Sequence, residues 1–128
     1  MFYLAFENSK CHRYITEKPQ IAFEAGAVPI VFGGLSKKDY EDVLPPNSFI
    51  SVDDFADAAE LAAYLLSLVT NPDRYDAFHN WRQQWRFVAH NRMNSVALCS
   101  VCEVAHGVRE IYSNISVGAW RNAHRCRK

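Results

Sequence analysis

The chain has 128 residues, 49% of them hydrophobic and 22% charged, with a formal net charge of zero. That composition is globular rather than disordered, and the length suits one domain and is too short for two ordinary ones. The balanced charge removes any general pull toward nucleic acid or anionic membrane; the one basic stretch, Arg121 to Lys128, reads as a solvated terminus.

Phe2 to Phe6 is a continuous apolar run, which predicts a short strand covered on both faces. A polar loop follows from Glu7 to Arg13. Thr16 is suited to N-cap the next helix, with Glu17 in its first turn and Pro19 tolerated where amides lack helical partners. That helix runs to Gly26, a natural stop. Ala27 to Phe32 is a second apolar strand, ended by Gly33-Gly34. Strand, helix and strand of this length predict a βαβ unit with parallel strands. A third strand is expected over Phe49–Val52, after Pro45-Pro46. Asp53 or Asp54 is placed to cap the helix in which Phe55, Ala58, Ala62, Leu65, Leu66 and Val69 recur at helical spacing. Asn71-Pro72 ends it, and Asp73 opens another helix through Tyr75, Phe78, Trp81, Trp85 and Phe87, an aromatic stripe that reads as core. From Val96 a mixed helical stretch holds Cys99 and Cys102. The predicted fold is a single α/β domain, a Rossmann-like parallel sheet with flanking helices. Met1 leads straight into the first strand without a basic leader, and the longest mainly apolar run, Leu61–Val69, falls short of the ~20 residues a membrane span needs. A strand that begins at residue 2 fits a chain cut from a longer protein.

In an open parallel sheet, ligands sit outside the carboxyl ends of the strands. Glu7-Asn8-Ser9 and Gly33-Gly34 both fall there, as does the start of the first helix, whose amides and dipole favour an anion. Lys18 in the first turn opposes the dipole, and a negatively charged ligand explains its presence. The residues together suit a pyrophosphate. Neither G-x-G-x-x-G nor G-x-x-x-x-G-K-[ST] occurs, so dinucleotide and P-loop readings lack their signatures. The plainer alternative stays open: Glu17 and Lys18 as surface charges, Tyr14 packed on the sheet, Asn8 in an Asx-turn.

F-E-N-S at Phe6–Ser9, Y-I-T-E-K at Tyr14–Lys18, A-G-A-V-P-I-V-F-G-G at Ala25–Gly34 and P-P-N-S-F-I-S-V-D-D-F at Pro45–Phe55 resemble, in order and spacing, the donor-binding C-terminal half of the alpha-1,3-fucosyltransferases, glycosyltransferase family 10. The resemblance implies a GT-B fold, of which this chain is the second Rossmann-like domain, a single GDP-fucose-binding unit over residues 1–128. It implies inverting transfer of L-fucose from GDP-fucose to an N-acetylglucosamine hydroxyl of a glycan or glycoprotein. Carried over, Lys18 holds the donor diphosphate and Glu17 accepts from sugar hydroxyls. Asn8 and Tyr14 contact the diphosphate and its surroundings, while Glu7, Ser9 and Thr16 support the pocket. Departing GDP gains negative charge, which a fixed cation stabilises in the transition state, so the chemistry needs no cofactor, with divalent metal at most a stimulant. No D-x-D stands here, and Asp53-Asp54 reads as a helix cap. Arg13 replaces the Asp usual before the Tyr and is placed for a second phosphate contact. The general base belongs, by resemblance, to the acceptor half, which lies outside this chain; Glu7 and Glu24 are the nominees within it. Golgi lumenal residence, with membrane attachment only through an anchor outside this chain, is likewise what the resemblance implies.

Cys99 and Cys102 allow zinc, with His124, Cys126 or His106 recruited, or structural disulfides. In the resembled family the C-x-x-C pair bonds to cysteines upstream of this chain's start. A Cys11–Cys126 pairing stays open, and Asn114-Ile115-Ser116 is a sequon for a secretory lumen. The rival reading is a truncated, inactive nucleotide-sugar-binding or interaction domain.

Overall fold

The computed structural model describes residues 1–11, 14–86 and 106. Three strands, β1 (Phe2–Phe6), β2 (Val28–Phe32) and β3 (Ile50–Ser51), form a parallel sheet in the order β1-β2-β3. Helix α1 (Lys18–Glu24) makes the crossover from β1 to β2 and lies against both, which gives the expected βαβ unit. Its Pro19, Ala22 and Phe23 are buried. Gly26 ends it at φ +67, a left-handed turn that costs glycine little. The β1–β2 register pairs Leu4 with Ile30 and Phe6 with Phe32, so both carboxyl ends finish level and Glu7 comes beside Gly33.

Alternation along β2 divides the core. Val31 meets Ala5, Leu35, Tyr40 and Phe49 on one face. Val28 and Ile30 meet Ile50 and Leu68 on the other, where Leu61, Tyr64, Leu65, Tyr75 and Phe78 also pack. These last come from α3 (Ala58–Val69), α4 (Pro72–Asp76) and the 3-10 segment Ala77–Gln83. A short helix, α2 (Lys37–Glu41), follows β2 behind a capping box in which Ser36 and Asp39 bond each other's backbone.

Several expectations are corrected. β1 is not covered on both faces: Leu4 is 62% exposed and Phe6 37%, because no described helix lies over that part of the sheet. Thr16 is not the N-cap of α1; Glu17 holds that position without a side-chain bond, since the Thr16 hydroxyl is engaged by Glu7. Neither Asp53 nor Asp54 caps α3. Both belong to a 3-10 turn (Val52–Asp54), Asp54 pairs with Lys37 at 2.7 Å, and Asp57 caps by accepting from the Glu60 N–H at 2.8 Å. The buried side of α3 runs through Leu61, Tyr64, Leu65 and Leu68, leaving Leu66 and Val69 in solvent. The helix expected from Asp73 starts at Pro72, capped by Asn71, and tightens to 3-10 geometry after Asp76. In the aromatic stripe Trp81 is buried against Phe23, but Trp85 is 53% exposed, so it is not core. Phe87, Arg13, His12, the sequon, and the readings of Cys99, Cys102 and Cys126 lie outside the described residues.

Candidate anion site at the carboxyl edge of the sheet

Glu7 leaves the end of β1 with its N–H bonded to the Phe32 carbonyl at 2.8 Å, which fixes its backbone to β2. Its side chain turns inward and is fully excluded from solvent. An isolated buried carboxylate is costly, and this one is not isolated. Oε1 accepts from the Thr16 N–H at 2.9 Å, Oε2 accepts from the Thr16 hydroxyl at 2.9 Å, and Lys18 Nζ donates to Oε2 at 2.9 Å. Lys18 Nζ also lies 3.3 Å from the Thr16 hydroxyl oxygen. Ile15, just before Thr16, packs half-buried against the cluster that contains Ala5 and Val31.

Lys18 is the first residue of α1, with a side chain 20% exposed. Glu7 therefore offers a second explanation for a cation at the positive end of a helix: it is the counter-charge. The hydrogen bond to Glu7 holds the ammonium above the ordinary lysine range, its burial opposing this in part, with Glu17 and Tyr14 adding smaller electrostatic support. Those two residues are thus within the field of Lys18. Asn8 is exposed and Ser9 half-buried in the loop after β1, and no side-chain hydrogen bond joins either to the Glu7–Thr16–Lys18 cluster. The structure gathers Glu7, Thr16 and Lys18 by hydrogen bonds, while the side chains of Asn8, Ser9, Tyr14 and Glu17 make no hydrogen bond to that cluster.

Neither nominated base suits the task. Both oxygens of Glu7 are occupied by Thr16 and Lys18 and closed to solvent. Glu24 ends α1, which runs antiparallel to its strands, so it falls at the opposite edge of the sheet.

Two features here escape the sequence. Gly33 reads there only as a strand end; in the structure a Cβ on it would lie 3.1 Å from both Glu7 Cγ and Tyr40 Oη, so its bareness makes room for both side chains. Gly34 lies so close under Cys11 that any side chain would run into that residue's backbone. Cys11 is buried and disulfide-bonded. No signal in the chain, short of knowing that two loops cross, marks either glycine for this use.

Two cavities among the described residues are centred away from Lys18. One of about 390 Å³ is lined by Pro46, Asn47, Phe78, Trp81 and Trp85. Another of about 300 Å³ is lined by residues that include Thr16, Pro19, Trp81 and Trp85. Neither includes Lys18. Among the described residues no cluster of metal-ligating side chains occurs, and no helix is long and apolar enough to cross a membrane.

Comparison with known proteins adds a family. Residues 1–120 match the model of glycosyltransferase family 10 (fucosyltransferase), C-terminal region. The chain is 39% identical over 105 residues to alpha-(1,3)-fucosyltransferase C of Drosophila melanogaster, covering 82% of this chain and 23% of that protein. It is 45% identical over 102 residues to alpha-(1,3)-fucosyltransferase 7 of Rattus norvegicus, covering 79% and 26%. To 4-galactosyl-N-acetylglucosaminide 3-alpha-L-fucosyltransferase 9 of Mus musculus it is 48% identical over 84 residues, covering 66% and 23%. The chain thus spans about a quarter of the length of these curated relatives.

Proposed function

The chain belongs to glycosyltransferase family 10, the fucosyltransferases, and from that premise we propose that it is the donor-binding half of an alpha-1,3-fucosyltransferase. Its donor is GDP-fucose, and its acceptor an N-acetylglucosamine hydroxyl of a glycan or glycoprotein, attacked with inversion. Residues 1–128 act as one binding unit, working on the lumenal side of Golgi membranes. One observation supports this most: an ammonium, held by Glu7 and Thr16 at the carboxyl edge of a parallel sheet, with part of its side chain still open to solvent. That edge is where open α/β sheets take their ligands.

In this reading Lys18 meets the diphosphate. Glu17, exposed one residue before it, accepts from ribose or fucose hydroxyls, while Tyr14, Asn8 and Ser9 line the rim. When the C1–O bond breaks, charge grows on the departing GDP, and a cation already fixed beside it stabilises the transition state more than the ground state. Divalent metal at most stimulates. A second reading, a domain that binds nucleotide-sugar without transferring it, is favoured for this chain alone by the unsuitability of Glu7 and Glu24 as bases.

Titration of GDP-fucose against GDP-mannose, followed by a transfer assay, separates the two. Preferential GDP-fucose binding with transfer supports the first reading and binding without transfer the second; absence of binding overturns both. Lys18→Ala is expected to abolish GDP-fucose affinity. Lys18→Gln, which keeps a donor for Glu7, controls for folding, and unchanged affinity in both variants removes Lys18 from the site.

A further inference from the structure

We propose that Glu7 is a positioning residue, whose buried carboxylate fixes the Lys18 ammonium so that its remaining N–H points out of the sheet edge toward a donor phosphate. The inference rests on the reading that this edge takes GDP-fucose. An ammonium has three N–H groups. Glu7 Oε2 and the Thr16 hydroxyl account for two, at 2.9 and 3.3 Å, and the side chain is 20% exposed. One donor is left over, on the open side.

The carboxylate cannot follow the ammonium outward. Thr16 holds one of its oxygens by a backbone N–H and the other by a hydroxyl, and the Glu7 backbone is bonded to Phe32. Gly33, with no side chain, leaves the space in which Glu7 lies. A free lysine has four rotatable bonds to order on meeting a phosphate. Ordering them in the unliganded protein removes that cost from binding. Packing alone gives no reason for a charge here, since apolar residues of similar volume often serve a core equally well or better than a buried ion pair. A lysine held for a ligand supplies one.

GDP is titrated into the 128-residue chain, into Glu7→Gln, into Lys18→Gln and into the double variant. Glu7→Gln is expected to weaken GDP binding on the order of tenfold or more. In the Lys18→Gln background it should weaken binding no further, because an effect transmitted through Lys18 is not additive with its loss. Should Glu7→Gln fail to fold, Glu7→Asp takes its place; it keeps the charge but withdraws it by one methylene, and the same non-additivity is expected. Equal losses in both backgrounds mean a general structural role and overturn the proposal, as does GDP binding unchanged or tightened in a folded Glu7 variant. If the parent chain fails to bind GDP, the functional reading fails as well. If it binds, and only Lys18→Gln weakens it, the functional reading stands and this inference alone is lost.

Discussion

Two buried donors, the Tyr40 hydroxyl and the Trp81 indole N–H, have no hydrogen-bond partner among the described residues. Tyr40 is the more informative. It is 1% exposed, packs on Phe49, and has its hydroxyl beside Gly33 and Glu7. An unsatisfied buried hydroxyl is destabilising, so Tyr40→Phe is expected to raise stability by about 1 kcal/mol in urea unfolding at neutral pH. Burial, then the charges of Glu7 and Asp53, push the phenol up to about 12 from 10.0. Because the folded phenol is the weaker acid, the unfolded chain ionises first, so stability is level below about pH 10 and falls as pH rises toward 12. The parent chain should therefore lose stability through that window, and Tyr40→Phe should lose less. Equal alkaline profiles would mean that Tyr40 does not titrate as its burial requires. Lys18 behaves alike in sign: its charge persists through neutral pH and is lost only above the ordinary lysine range.

Helix α3 shows what side-chain period does and does not specify. Its end followed from Asn71-Pro72, and Val69 agrees; its start did not, since the helix expected from Phe55 begins at Ala58, with Phe55 closing the preceding 3-10 turn. Its buried face did not follow, because Leu61, Leu65, Leu66, Leu68 and Val69 spread over nearly half the helix circumference, and packing on the sheet selected Leu61, Leu65 and Leu68 among them. The cap was ambiguous for a similar reason: three Asp stand within five residues, and only hydrogen-bond geometry selects Asp57. Asp57→Ala is expected to cost about 1 kcal/mol, read as a lower urea midpoint at unchanged slope. Asp53→Ala should cost much less, and the opposite order would return the cap to the 3-10 turn. The βαβ unit was legible because glycine and proline punctuate it. The membership of the site was legible as far as Lys18, from its charge at a helix start. Glu7 as the counter-charge was not, because nothing local says that residues 7 and 16 meet across the sheet edge.

The sheet carries, among the described residues, a core cluster on each face and has an open edge at β1. Among the described residues β1 pairs with β2 alone, and Leu4 and Phe6 stand outward beside it, with Lys10 over the Phe32 ring at 3.9 Å. An exposed apolar edge strand invites pairing with another chain. The isolated 128-residue chain is expected to self-associate as its concentration rises, and Leu4→Lys to shift sedimentation toward monomer. Leu4 is 62% exposed, so that substitution leaves the core alone; identical sedimentation of the two would acquit the edge. At the far end of the fold Arg82 donates to the Phe23 carbonyl at 2.7 Å, tying the last described segment to α1.

The crossing of Cys11 over Gly34 bears on how this surface can change over generations. Asn8 and Glu17 are exposed and Tyr14 half-buried, so each can be exchanged singly, altering the taste of the rim one side chain at a time. Gly34 has no such liberty, since even a methyl group there would lever the overlying strap, with everything it carries, off the sheet. Variation at this edge is therefore confined to the upholstery, while the frame beneath it is inherited intact or not at all.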